Sequence, residues 1–266
     1  MLVLLPPSEG KAVPSRRGSV LDLSALSFPG LTDSRRNVLT ALVSVAHGPR
    51  QDALAALGLP PGLTDEVDKD AQLLRATTLP VERLYTGVLY EALGLATLSP
   101  AARRRARASI VVMSALFGAL RLNDRVPSYR LSMDAKLPGL APLAGLWRAP
   151  LGAALPEAAA SGLVLDLRSS SYAAAWRPGG EVAARTATIR VLHESSPGDP
   201  SSRSIVSHFN KATKGRLLRD LLESGTAPRT PRQLARTLAS LGYTVEGTPP
   251  ERPGRAWSID IVVAAL

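Results

Sequence analysis

The chain has 266 residues, 45% of them hydrophobic, with no cysteine, a formal net charge of +10 and a pI near 10.6. That length and apolar content are enough to bury a large core and fit one domain spanning 1–266. The lack of cysteine excludes disulfides and thiolate metal sites, and the positive balance favours an anionic partner, either DNA or a small nucleotide-like ligand. Much of the arginine reads as solvated surface, whereas lysine is scarce, with only Lys11, Lys69, Lys136, Lys211 and Lys214.

Met1 to Leu5 is a short apolar run with no positive flank, followed by Pro6 and Pro7, so it reads as a buried first strand and not as a signal peptide or a membrane span. The next loop holds Ser8, Glu9 and Lys11 beside Gly10. A serine and a lysine after a strand suit an anion cradle, although the glycine spacing is not that of a Walker loop. Residues from Thr32 to Arg107 read as mainly helical, with Asp33 as the cap of a first helix. A second helix from Asp52 to Leu57 meets the turn Gly58-Leu59-Pro60-Pro61-Gly62, and Thr64 opens a third. Asp65, Glu66, Asp68 and Asp70 follow, and four carboxylates together oppose a phosphate backbone. Ser99-Pro100 starts a helix bearing Arg103, Arg104, Arg105 and Arg107, a charge run of the kind that usually forms a solvated face.

Ile110 to Met113 is an apolar, β-branched run too short for a helix and reads as a buried strand. Beyond it come Gly118, Arg121, Asn123, Asp124, Arg125, Pro127, Tyr129 and Arg130. Open α/β sheets bind ligands beyond the carboxyl ends of their strands, so this cluster is a first candidate for a site. The segment SALFGALRLNDRVPSYRLSM resembles the central signature of the YaaA family, the bacterial peroxide-stress proteins. LLPPSEGK near the amino terminus, VLDLRSSSY and FNKATKGRLLRDLL match further family blocks in the same order. The first block departs from the family's common Ser-Pro-Ala-Lys order, as expected of a divergent branch. By this resemblance, the helix, hairpin, helix order around Gly58 to Gly62 is similar to a DNA-binding motif attributed to the family. Tyr85 before Thr86-Gly87 is then expected either to approach the cleft or to close the core.

Leu143 to Ala160 reads as a helical region interrupted at Pro150 and Pro156, with Trp147 in the core. Gly162 to Leu167 is a strand that delivers Asp166, Arg168, Ser169, Ser170 and Tyr172 to its end. Asp166 either orients a neighbouring cation or caps the helix near Ser169, and the cap reading also explains the serines. Val182 to His193 reads as a strand forming a hairpin with Ser204 to Ser207. The following block carries His208, Asn210, Lys211, Lys214, Gly215 and Arg216. Lys211 and Lys214 share one face near a helix start, where two cations require an anion. A capped helix from Thr230 to Leu241 and two last strands close the fold.

The expected architecture is a single α/β domain with a mixed central sheet flanked by helices and a helical amino-terminal half. Its cleft is expected to be made positive by Lys11, Arg121, Arg130, Arg168, Lys211, Lys214 and Arg216. Ser8, Glu9, Tyr85, Tyr129, Ser170 and Asn210 complete the expected ligand contacts. The resemblance implies a cytoplasmic DNA-binding protein of the peroxide-stress response. The polar variety of the cleft supports an alternative, an enzyme acting on a nucleobase, nucleotide or other small anion, with Lys11, Tyr129, Asp166 and His208 as its catalytic groups. Three scattered histidines give no ligand spacing for a metal, and no cofactor motif is evident.

Overall fold

The computed structural model describes residues 1–15, 17–196, 198–205, 207–250, 252 and 254–264, without the side chains of 207–209 and 264. Its main sheet contains β1 (Leu2–Leu5), β3 (Ile110–Ser114), β4 (Gly118–Arg121), β6 (Val164–Asp166), β7 (Thr186–Glu194), β8 (Arg203–Ser204), β9 (Thr244–Thr248) and β10 (Trp257–Ala264). A separate two-stranded pair joins β2 (Leu79–Pro80) to β5 (Arg125–Val126). The main path runs β4-β3-β1-β6-β7-β10-β9, with β8 on β7. The pairs among β3, β1, β6, β7 and β10 are parallel, while β4, β8 and β9 pair antiparallel. The domain is therefore α/β with a mixed sheet, as the sequence implies.

Strand burial explains the strand sequences. LVLL and IVVMS are buried at every position, as expected of parallel strands covered by helices on both faces. In chain order the five parallel strands lie 2-1-3-4-5, because the chain leaves β1 for β3 on one side and returns to β6 on the other. Such a reversal leaves a crevice beyond the carboxyl ends of the two strands that flank it, here β1 and β6.

Eleven helices cover this sheet among the described residues. They are α1 (Thr32–Ala46), α2 (Arg50–Leu57), α3 (Thr64–Ala71), α4 (Val81–Leu84), α5 (Val88–Leu93), α6 (Pro100–Ser109), α7 (Leu143–Ala159), α8 (Ser170–Ala174), α9 (Gly180–Ala184), α10 (Ser207–Ser224) and α11 (Pro231–Ser240). None is long and apolar enough to cross a membrane. Gly215 of α10 lies against the backbone of α5, where a Cβ would meet Leu89 O and Ala92.

Several expectations change. α7 is continuous through Pro150 and Pro156, because Leu143, Trp147, Leu151, Leu155 and Ala159 form one buried stripe that outweighs the lost backbone donors. Trp147 is in the core, and its Nε1–H donates to Ala115 O at 2.8 Å. The expected strand from Val182 begins instead as α9 and becomes β7 at Thr186. Asp33 lies inside the first turn of α1 and does not cap it. The arginine run of α6 does lie on the surface, with Arg104 and Arg107 exposed, while Arg103 and Arg107 both bind Glu82 and Arg105 donates to Leu222 O.

Candidate functional site

A cleft of about 400 Å³ opens at the β1/β6 crevice. Its walls come from the loop after β1, the start of α5, residues Arg130 to Asp134, the segment after β6, and Lys211 of α10. The loop after β1 is held in place by a bridge between Lys11 and Tyr85, with Ala12 N donating to Leu84 O at 2.8 Å and Thr86 N to Gly10 O at 3.1 Å. Tyr90 Oη donates to Pro6 O at 2.7 Å. Gly87 has φ +94, and a Cβ there would stand 2.8 Å from Ser8 Oγ, so a side chain at this position would be both strained and obstructed.

This anchoring aims Lys11. Its Nζ donates to Ser8 O at 2.9 Å and Glu9 O at 3.3 Å and lies 4.4 Å from the centre of the Tyr129 ring, within cation–π range. Beneath it, Tyr85 Oη and Tyr129 Oη share a hydrogen bond of 2.8 Å, and Tyr129 Oη meets Ser114 Oγ at 2.6 Å. Tyr85 therefore closes the core and is not among the residues that line the cleft. Burial raises the titration of Tyr85, Tyr90, Tyr129 and Tyr172, so these phenols keep their protons.

Asp70, from the last turn of α3, completes the floor. Its Oδ1 accepts the Arg130 N–H at 2.8 Å, while Oδ2 is buried without a partner among the described residues. Burial pushes its carboxyl up to about 7, against the opposing pull of the Arg130 N–H and the Lys11 charge. Burial, followed by the Arg130 charge, brings the Lys11 ammonium down to about 8, with Asp70, Glu66 and Glu9 pulling it back up. The Arg130 guanidinium meets Glu9 at 2.9 Å at the mouth, where the Glu9 side chain is 79% exposed.

Of the expected ligand residues, the cleft lining contains Ser8, Glu9, Lys11, Arg130 and Lys211, with Tyr85 and Tyr129 just below. The others lie elsewhere, for physical reasons. Arg121 is carried away because β3 turns back at Gly118: it pairs opposite Val111, donates to Ala108 O at 3.0 Å and stacks near Phe28. Arg168 is buried, and its forked contacts with Asp166, at 2.8 and 2.6 Å, use both carboxylate oxygens. Asp166 thus orients a cation and is not the helix cap.

Ser170 is exposed outside the lining, whereas Ser169 and Ser171 line the cleft, and Ser169 makes no capping bond. Lys214 sits beyond the first turn of α10, donates to Leu167 O at 3.4 Å and feels the Asp166 charge. The pair of unmatched cations at a helix start is therefore not formed. Arg216 is exposed on the side near Tyr243. Asn210 is half-buried outside the lining, with its Oδ1 unpartnered among the described residues, and the His208 side chain lies outside what the structure describes.

With these placements the lining carries Lys11, Arg130 and Lys211 against Glu9 and Asp134, so only three of the seven expected cations line the cleft. Asp70, one of the four carboxylates that follow the turn, points inward, because its spacing of three from Val67 places it on the buried face of α3. The other carboxylates are partly neutralised, since Asp68 meets Arg50 at 2.6 Å and Glu66 meets Lys69 at 2.5 Å. Two helices, α2 and α3, do flank the Gly58 to Gly62 turn, with Gly58 left-handed at φ +64 and a 3-10 turn at Pro61–Leu63. Among the described residues no group of three or more His, Cys, Asp or Glu converges on a metal position.

The family described as peroxide stress protein YaaA matches residues 1–248 of the chain. The chain belongs to the YaaA family. It is 56% identical over 263 residues to a UPF0246 protein of Streptomyces coelicolor, covering 99% of this chain and 98% of that one. A UPF0246 protein of Corynebacterium efficiens is 41% identical over 248 residues, covering 92% and 95%. One from Corynebacterium glutamicum is 35% identical over 265 residues, covering 99% and 100%. For this YaaA-family chain, the Lys11, Asp70 and Tyr129 cluster at the β1/β6 crevice is the candidate site.

Proposed function

We propose that this YaaA-family protein acts in the cytoplasmic response to peroxide by binding one nucleotide-sized anionic unit in the β1/β6 cleft. The observation that carries this reading is Lys11, whose Nζ is fixed over Tyr129 by two backbone carbonyls at the wall of a cleft of about 400 Å³. Ligand pockets typically span about 300 to 1,000 Å³, with a few polar groups that fix orientation. Arg130 and Lys211 supply cationic contacts at the rim, and Tyr90 and Tyr172 contribute aromatic lining.

The unit can be a free nucleotide or part of a DNA strand, because the recognising chemistry is shared. One observation supports the DNA source: a turn at Gly58 joins two helices, and the carboxylates of Glu66 and Asp68 beside it are paired with Lys69 and Arg50. A thermal-shift panel of nucleobases, nucleosides, nucleotides and short duplexes at low and high salt separates the sources. A small-molecule shift that survives salt identifies a free ligand. A shift with duplex alone, lost at high salt, identifies DNA. No shift with any member of the panel overturns the reading.

A further inference from the structure

A second groove, of about 470 Å³, is lined by the continuation of the loop after β1. Ser8, Glu9 and Lys11 of that loop line the cleft, whereas Ala12, Val13, Ser15 and Arg17 line this groove, together with residues 78–80, Arg83 and Arg125. The two facing segments are pinned at both ends. Ala12 N donates to Leu84 O at 2.8 Å, and Thr78 N donates to Ser19 O at 3.0 Å. Thr77 Oγ1 also donates to Ser15 O at 2.7 Å. The groove opens between these pins.

Three arginines reach it from separate segments: Arg17 from the loop, Arg83 from α4 and Arg125 from β5. No carboxylate lines the groove among the described residues. The acids adjacent in sequence are engaged elsewhere. Glu82 holds Arg103 and Arg107, and Asp124 accepts the backbone N–H groups of Ser27 and Arg121. Arg125 is also oriented, since its Nε donates to Ser19 Oγ at 3.2 Å and its Nη2 to Thr78 O at 3.0 Å. Both acceptors are uncharged, so the guanidinium charge stays uncompensated.

We propose that Arg17, Arg83 and Arg125 form a second anion site, separate from the β1/β6 cleft, that binds a ligand bearing at least two phosphates. Three guanidinium charges exceed the charge of about −2 on one phosphate monoester. Forked guanidinium N–H groups match phosphate oxygens, and an anion relieves the repulsion among like charges gathered in one groove. The phosphates belong either to a free polyphosphate or to a nucleic-acid strand, because the recognising groups are the same. The site goes beyond the cleft reading and stands without it, since no residue lines both. Its arginines are exposed and screened by solvent, so it binds more weakly than the cleft, as a second event at higher ligand concentration.

Charge reversal at matched net charge tests the site. Inorganic tripolyphosphate and a single-stranded oligothymidylate are titrated into wild type, Lys11→Met, and Lys11→Met carrying either Arg83→Glu or Arg104→Glu, at two salt concentrations. Lys11→Met disables the cleft, so the binding that remains reports the groove. Arg83 and Arg104 are both exposed, and only Arg83 lines the groove. Arg83→Glu should weaken the remaining binding on the order of 10-fold, whereas Arg104→Glu should keep it within about twofold. An effect on tripolyphosphate identifies a free polyphosphate. An effect on the oligonucleotide alone, with its salt slope reduced by about 0.7, identifies strand phosphates. The same substitutions in wild type replace these comparisons if Lys11→Met folds poorly. Equal weakening by the two reversals, or no binding left in Lys11→Met, overturns the groove site. Nucleotide shifts in wild type would then still support the cleft, and their absence beside intact groove binding would remove the cleft reading alone.

Discussion

The backbone N–H of Arg130 donates to Asp70 Oδ1 at 2.8 Å across 60 residues of chain. This bond ties the helical amino-terminal half to the segment after β5, and its buried carboxyl is electrostatically coupled to the Lys11 amine. Asp70 is half satisfied by it, since Oδ2 has no partner among the described residues. A stability change with pH follows.

Burial raises the folded-state titration of Asp70 to about 7, above its ordinary range near 4. A carboxyl shifted upward stabilises the fold while protonated, so its contribution is complete below about 4 and is lost as pH rises through 7. Lys11, Arg130 and Glu66 face it, the first two opposing the shift and Glu66 adding to it. Asp70→Asn keeps an acceptor for the Arg130 N–H and removes the titration. The variant should gain stability relative to wild type between pH 5 and pH 8, by up to a few kcal/mol, in paired thermal melts. A difference that stays constant across that range would count against the assignment.

Lys11→Met should abolish ligand-induced stabilisation while leaving the melting temperature at pH 7 unchanged or slightly raised. Removing the amine also removes the cost of burying its charge, which in wild type is present below about 8 and is relieved toward 10.5. Calorimetry with the best ligand of the panel checks this. Loss of several kcal/mol of stability would assign Lys11 to the scaffold.

Arg168→Ala should behave in the opposite way. It strands the Asp166 carboxylate in a buried position, and breaking such a pair typically costs about 3 to 5 kcal/mol. Denaturant melts should show the loss, and ligand affinity measured on the remaining folded protein should be nearly unchanged.

Gly215→Ala should also destabilise, by about 1 to 3 kcal/mol, because the added methyl meets Leu89 O on α5. Since α5 begins at the cleft wall with Val88 to Tyr90, some loss of ligand affinity should accompany it. A neutral variant would show that the two helices separate easily.

The core was legible wherever a strand is buried on both faces: Leu2–Leu5 and Ile110–Ser114 are uninterrupted apolar runs. The loop after β1 was legible too, as Ser8, Glu9 and Lys11 follow a strand end and do line the cleft. Arg121 was misplaced because a run of residues does not reveal chain reversal at Gly118, which sends β4 back along β3. Asp166 and Arg168 lie two apart at a strand end, where such residues share a face, so their pairing had a signal in the sequence. Asp70 was hidden by its acidic neighbours, although the helical spacing from Val67 pointed it inward. Tyr129 required tertiary information, since its partners Tyr85 and Ser114 come from separate elements.

The central claim, that ligands bind at the β1/β6 crevice, is tested most directly by isothermal titration of the strongest panel ligand into wild type, Lys11→Met and Arg121→Ala. Arg121 lies outside the cleft lining, with its guanidinium held by Ala108 O and Phe28. The account predicts binding that is lost in Lys11→Met and kept within about twofold, under 0.5 kcal/mol, in Arg121→Ala. Binding retained by Lys11→Met and lost in Arg121→Ala would contradict it.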